Sequence, residues 1–360
     1  MPEKLKNLFF TQDSLRLFAE AIKNVYSDFN VEEFLKLIHD ESWDTLELKA
    51  KMWHTTKCLH KTLPNNYLDS LVILVKAAPT IKGFEAMTLP DYVEKYGMDH
   101  WEESLNALGH FTKYASSEFA IRPFLDKKPE LAMHYMLNWA ESEHENVRRF
   151  ASEGCRPRLP WAMLLPQFIL NPRPIFEVLE NLKDDDSEFV RKSVANNLND
   201  ISKDHPDLMM DVCVNWYGYS DKTNWIVKHA CRTLLKQGNT RALRLFGFGD
   251  PDKLEIDNLK LSQSKIKIGE SINFSFLLKN QEEEPCKVRL EYAIDFVKAR
   301  GKSSRKIFQI IEKEYKPGIH LLKRKHSFAN LSTRKHYPGT HSLTIIVNGV
   351  MKAEQTLNVI

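Results

Sequence analysis

The chain has 360 residues, 42% hydrophobic and 28% charged. That composition excludes wholesale disorder, and the length is more than one ordinary core covers, so two domains are expected. The formal net charge of +3 conceals two unlike parts: residues 1–250 hold 31 Lys and Arg against 36 Asp and Glu, and residues 251–360 hold 20 against 12. No apolar run approaches the roughly 20 residues of a membrane helix. Met1–Phe10 has no apolar signal segment, and a cytoplasmic protein is expected. Cys58, Cys155, Cys213, Cys231 and Cys286 are dispersed without a CxxC pair, as buried thiols of a reducing compartment would be. Neither an HExxH nor a phosphate-binding glycine loop is present, so no metal and no cofactor is expected.

From the N-terminus to residue 250, apolar residues recur at helical spacing. Segments around Trp43–Leu63 and Trp101–Tyr114 read as helices of divergent repeats, with Trp43, Trp53, Trp101, Trp139 and Trp216 expected in the core and Trp225 open to either reading. His110 and His229 read as structural. The repeat is clearest later. Glu145–Ala151 resembles Glu188–Ala195 and, more weakly, Asn224–Ala230, with Val-Arg or Val-Lys pairs starting at 147, 190 and 227. That spacing suits HEAT-type helix pairs. Stacked repeats put equivalent positions in columns. Arg148, Arg191 and Lys228 would form one basic column and Arg149, Lys192 and His229 the next. Such columns suit a polyanion; packing or salt bridging within each repeat is the equally weighted alternative. Asp184–Asp186 reads as a turn between helices.

One segment breaks the repeat. Gly154, Pro157 and Pro160 must end the helix begun near Asn146, leaving Glu153 at its end and Arg156, Arg158 and Trp161 on a stiff loop. A carboxylate among guanidiniums beside a tryptophan suits catalysis with phosphate clamping, or else a salt-bridged loop. Asn196 aligns with Glu153 and shares a helical face with Asp200 four residues on, while Glu118 lies one unit earlier. Three acids from successive units are thus candidates to converge.

Beyond the expected linker, residues 247–252, the texture changes to short alternating runs at 265–268, 271–276, 286–290 and 341–347. Asn348-Gly349 is a hairpin-turn signal before a last alternating stretch, and Glu282–Glu284 reads as a strand connection. These runs predict a β-sandwich of immunoglobulin type over 251–360. Residues 298–335 hold 12 basic residues against 2 acidic ones, read either as a phosphate-binding surface or as a solvated loop.

Arg148–Gly154 followed by Arg156–Trp161, together with Phe189–Lys203 and Gly109–Phe124, resembles the DNA alkylation-repair glycosylases of the HEAT-like repeat superfamily. The AlkC branch fits best, because some of its members also carry a C-terminal immunoglobulin-like domain. The resemblance implies a HEAT-like α-α solenoid over 1–250, a sandwich over 251–360, and a monofunctional glycosylase that hydrolyses the N-glycosidic bond of 3-methyladenine or 3-methylcytosine in double-stranded DNA. It implies catalytic roles for Glu153, Asp200, Glu118 and Trp161. DNA contacts would come from Arg148, Arg149, Arg156, Arg158, Arg191, Lys192, Asn196 and Lys228, and from Arg300, Lys302, Arg305, Lys306, Lys323, Arg324 and Lys325. No metal, cofactor or membrane enters, and a monomer is expected. Two alternatives remain open: a DNA-binding member without catalysis, and a protein-binding scaffold.

Overall fold

A computed structural model describes residues 8–299, 301–330 and 335–360. Arg300, one of the candidate DNA contacts, and Arg334 of the same basic block lie outside the described residues. The chain divides into two compact units, 1–205 with 215–230, and 206–214 with 231–360.

The first unit is helical. It runs α1 (Gln12–Lys23), α2 (Val31–Ile38), α3 (Leu48–Thr62), α4 (Tyr67–Ala77), α5 (Thr88–Tyr96), α6 (Trp101–Phe111), α7 (Arg122–Lys127), α8 (Pro129–Ala140), α9 (Glu145–Gly154), α10 (Pro166–Leu170), α11 (Arg173–Leu182) and α12 (Glu188–Ile201). Then follow α13 (Pro206–Trp216), shared between the units, and α14 (Asp221–Ala230). The starts obey capping chemistry: Thr11, Asn30 and Asn66 side chains accept from the first-turn amides of α1, α2 and α4. Among the described residues no helix is long and apolar enough to cross a membrane.

The three Val-Arg/Lys copies fall on α9, α12 and α14, and these helices pack side by side in that order, with α8 and α11 behind them. Val147, Val190 and Val227 take equivalent buried places. Because α12 is flanked on both sides, it buries polar residues as well as apolar ones, and these need partners. Asn197 Nδ2 donates to Ser152 O at 2.8 Å and Asn199 Nδ2 to Ala230 O at 2.8 Å. This layout is the HEAT-like repeat that the sequence suggested. Trp43 and Trp216 are buried as expected, but Trp53 is 42% exposed. Lys49 and Lys95 lie over its ring at 5.8 and 4.2 Å. A helical pattern marks an aromatic as core, but a cation-flanked face accommodates one at the surface as well.

The second unit adds α15 (Arg232–Lys236) and α16 (Thr240–Leu245) to eight strands: β1 (Leu254–Leu261), β2 (Lys265–Ile266), β3 (Ser271–Asn280), β4 (Cys286–Val297), β5 (Ser303–Tyr315), β6 (Gly318–Ser327), β7 (Gly339–Val347) and β8 (Val350–Val359). They form a three-stranded sheet β1-β3-β6 and a five-stranded sheet β2-β8-β7-β4-β5. All pairings are antiparallel except β2 with β8. Alternate residues such as Phe274, Phe276, Leu290, Ile294, Leu343 and Ile345 fill the core. Asn348 and Gly349 have φ of +47° and +80°, the two-residue turn their sequence calls for. Residues 247–252 are fastened within this unit: the Gly249 amide donates to Lys287 O at 2.9 Å and the Asp250 amide to Glu282 Oε1 at 2.8 Å.

Candidate active site

The C-terminal end of α9 delivers Glu153, and the following turn delivers Arg156. The far end of α12 delivers Asp200, and the turn before α7 delivers Glu118. All three carboxylates are buried, at 5% exposure for Glu118, 6% for Glu153 and 2% for Asp200. They are joined through two arginines. Arg149 pairs with Glu118 and lies 3.8 Å from Glu153 Oε1. Arg156 donates through Nη1 to Glu153 Oε1 at 2.6 Å and through Nε to Asp200 Oδ2 at 2.8 Å. The other oxygens are held too. Ser193 Oγ donates to Glu153 Oε2 at 2.6 Å, Lys203 Nζ to Asp200 Oδ1 at 2.9 Å, and Ser116 Oγ to Glu118 Oε2. Charges therefore alternate along the row, which allows three buried acids to stay together.

Burial lowers the affinity of the Arg156 guanidinium for its proton, but Glu153 and Asp200 outweigh that and leave its pKa above the ordinary value. Arg149 moves down, because burial dominates over the pull of Glu153. The Arg149 guanidinium also lies 4.5 Å from the centre of the half-exposed Phe189 ring. Tyr114, Glu118, Asn146, Arg149 and Phe189 line a cavity of about 210 Å³ beside the row.

Trp161 stands 86% exposed on the loop between α9 and α10, with φ of +65°. A bulky side chain in the left-handed region is strained unless its surroundings impose it. Lys49 Nζ reaches the Trp161 carbonyl at 3.4 Å. Arg158 is held by both Asp204 oxygens, at 2.9 and 2.8 Å, and that hydrogen bonding raises its pKa while lowering that of Asp204.

The basic columns separate in the structure. Arg148 turns back, donating to Ser142 O and Glu143 O at 2.9 Å each and to Asp185 Oδ2 at 2.6 Å. Arg191 repeats the move on Asp185 O and Asp186 O, both at 2.8 Å. These two arginines staple turns and helices rather than forming an open cationic track, the packing role that the sequence left open. Lys192 and Lys228 are exposed, and Asn196 is half-buried on the α12 face that bears Asp200.

Among its described residues, the basic block of 298–335 is largely strand rather than one loop. It supplies two edge strands of different sheets, β5 and β6. Lys306 on the five-stranded sheet and Lys302 just before β5 are exposed, while Arg305 is paired with Asp295 at 2.7 Å. On the three-stranded sheet Lys323 and Lys325, with Lys260, Asn273 and Ser275, line a cavity of about 520 Å³. Arg324 donates to Ile310 O at 3.0 Å.

Sequence reasoning missed Lys203, Ser193, Lys49, Phe189 and Arg122. Lys203 follows Asp200 by three positions on the same face and was legible from that spacing. The other four make contacts between segments far apart in sequence and left no local signal.

Stacked helix pairs followed by an immunoglobulin-like sandwich place the chain in the DNA alkylation-repair class of HEAT-like repeat proteins. Residues 110–234 match the family model described as DNA alkylation repair enzyme, and residues 255–360 match that of a YhaZ-type C-terminal Ig-like domain. The chain belongs to this family, in its AlkC-type glycosylase branch. It is 46% identical over 344 residues to the uncharacterized protein YhaZ of Bacillus subtilis strain 168, covering 95% of this chain and 96% of that one. It superposes with a TM-score of 0.88 and 37% identity on the Pseudomonas fluorescens alkylpurine DNA glycosylase AlkC, solved bound to DNA containing an abasic site analog, over 99% of this chain and all of that one.

Proposed function

We propose that the protein is a DNA glycosylase that hydrolyses the N-glycosidic bond of bases carrying positive charge through alkylation, 3-methyladenine and 3-methylcytosine among them, in double-stranded DNA. The observation that carries this reading is the convergence of Glu118, Glu153 and Asp200 through Arg149 and Arg156. A ring-methylated cationic base leaves without needing a proton from the enzyme. What the reaction requires is negative charge placed against an oxocarbenium-like sugar and a carboxylate to orient water. Acids fixed in place by Arg149, Arg156, Lys203, Ser116 and Ser193 are preorganised for this, and such electrostatic preorganisation is worth about 3–4 kcal/mol per group removed. Trp161, exposed on its loop, would pack on the lesion or its sugar. No Schiff-base chemistry is invoked, so the product is an abasic site in an intact strand.

DNA would be gripped by Lys192, Lys228, Arg158 and the remaining donors of Arg149 and Arg156, with Asn196 beside them, and by Lys302, Lys306, Lys323 and Lys325. Division of labour would follow the sequence, with 1–250 carrying recognition and chemistry and 251–360 extending the grip. If about six phosphates are neutralised, affinity falls roughly a thousandfold between 50 and 200 mM salt. A cytoplasmic monomer is the form proposed. The test is incubation with a methylated duplex and identification of freed bases by mass spectrometry. Freed methylated base with a strand that breaks only in alkali supports the reading. DNA binding without base release replaces it with a non-catalytic DNA-binding protein; absence of both points to a protein scaffold.

A further inference from the structure

Arg122 is among the largest fully buried side chains of the molecule, at 0% exposure. A buried guanidinium ordinarily demands a carboxylate. This one is met by carbonyls instead. Nε donates to Met163 O at 2.5 Å, Nη1 to Gly154 O at 3.0 Å and Arg156 O at 2.9 Å, and Nη2 to Pro157 O at 3.5 Å. Four donations from one planar fork converge on a single stretch, 154–163. Burial pushes the guanidinium down to about 10, and it stays charged at neutral pH. A second contact brings the same segments together. A Cβ on Gly154 would lie 2.9 Å from Ile121 Cγ2, so the glycine admits the chain next to Arg122 against the end of α9.

The two segments joined this way carry the groups assigned to the reaction. Arg122 lies four residues after Glu118. The carbonyls it gathers belong to the loop that presents Arg156, which binds Glu153 and Asp200, and Trp161, whose backbone is left-handed. We propose that Arg122 is a positioning residue, which registers the Glu118 segment against the Arg156–Trp161 loop by gathering that loop's carbonyls around a buried cation. The proposal rests on the roles given above to Glu118, Arg156 and Trp161. Lysine offers three donors from one atom and can meet part of the cradle; methionine offers none and leaves the carbonyls bare.

The test uses the full chain with Arg122→Lys and Arg122→Met. Amide exchange followed by mass spectrometry is expected to rise about tenfold over 155–165 in the lysine variant, with α14 and the sandwich unchanged, because only local opening is altered. Single-turnover release of 3-methyladenine is expected to fall about tenfold for lysine and up to about a hundredfold for methionine, the scale of an ångström's misplacement. On a Trp161→Ala background the further loss from Arg122→Lys shrinks below about threefold, since the loop being positioned no longer presents its ring. Unchanged exchange over 155–165, exchange rising equally throughout the helices, or losses that multiply fully with Trp161→Ala each overturn the proposal. If Arg122→Met does not fold, the lysine variant decides. If wild type frees no base, the glycosylase reading fails, and the exchange measurement still judges the cradle.

Discussion

Arg156 and Asp200, 44 positions apart in sequence, meet through two nitrogens, Nε at 2.8 Å and Nη2 at 2.7 Å, where the carboxylate is almost wholly enclosed. The same guanidinium holds Glu153. One side chain therefore compensates two buried charges. Arg156→Leu leaves Asp200 with Lys203 and Glu153 with Ser193 and the more distant Arg149, and is expected to cost about 3–5 kcal/mol of stability. Arg156→Lys keeps the charge but loses the fork, and falls between leucine and wild type. Denaturant unfolding of the three proteins checks the order.

Trp161 contributes little packing, so Trp161→Ala is expected to change stability by no more than about 0.5 kcal/mol. Its left-handed backbone makes Trp161→Gly more stable than Trp161→Ala by about 1 kcal/mol. Both variants should lose base release about tenfold or more, since the role proposed for Trp161 belongs to its ring and not to its backbone. Unfolding curves and release rates for the pair separate the two roles; equal stabilities would show that the backbone is not strained there.

Asp91 is a buried carboxyl whose Oδ2 accepts from Thr56 Oγ1 at 2.5 Å, while Oδ1 has no hydrogen-bond partner among the described residues. Burial raises its pKa to about 6. An acid raised in the folded state favours the protonated form. Stability is therefore greatest below the unfolded pKa near 4 and declines as pH climbs through about 6. Asp91→Asn removes that penalty. It is expected to stabilise by on the order of 1–3 kcal/mol at pH 8 and by nothing at pH 4. Melting temperatures across that range test the sign; a gain that grows toward acid would contradict the assignment.

Lys323 and Lys325 stand two residues apart on the exposed edge strand β6, facing the same cavity as Lys260. Replacing both with glutamine is expected to weaken binding of undamaged duplex and to lower the slope of log affinity against log salt by about 1.8. An unchanged slope would remove this face from the DNA-binding surface.

The fold was largely legible in the sequence, and the reasons are local. Val147, Val190 and Val227 recur at a helix-pair period, and Asn348-Gly349 marks its turn without help from tertiary structure. Strands β5 and β6 were hidden because basic residues fall at consecutive positions, Arg305-Lys306 and Lys323-Arg324-Lys325, and so break the alternation. The acids could be named from the break at Gly154–Pro160, but their linkage could not. Nothing near Arg148 or Arg156 in sequence says that one guanidinium turns back to Asp185 while the other bridges two catalytic candidates. Arg122 left the least trace, since a charged residue beside Pro123 reads as the solvated start of a helix, whereas the structure seals it inside.

The most direct measurement is the single-turnover rate of 3-methyladenine release by wild type, Glu118→Gln, Glu153→Gln and Asp200→Asn, each with its affinity for duplex bearing an abasic-site analogue. The expected result is release by wild type, a loss of about a hundredfold or more in at least one of the Glu153 and Asp200 variants, and affinities within a few-fold of wild type. Wild-type rates retained in all three variants would show that these carboxylates do not carry the chemistry.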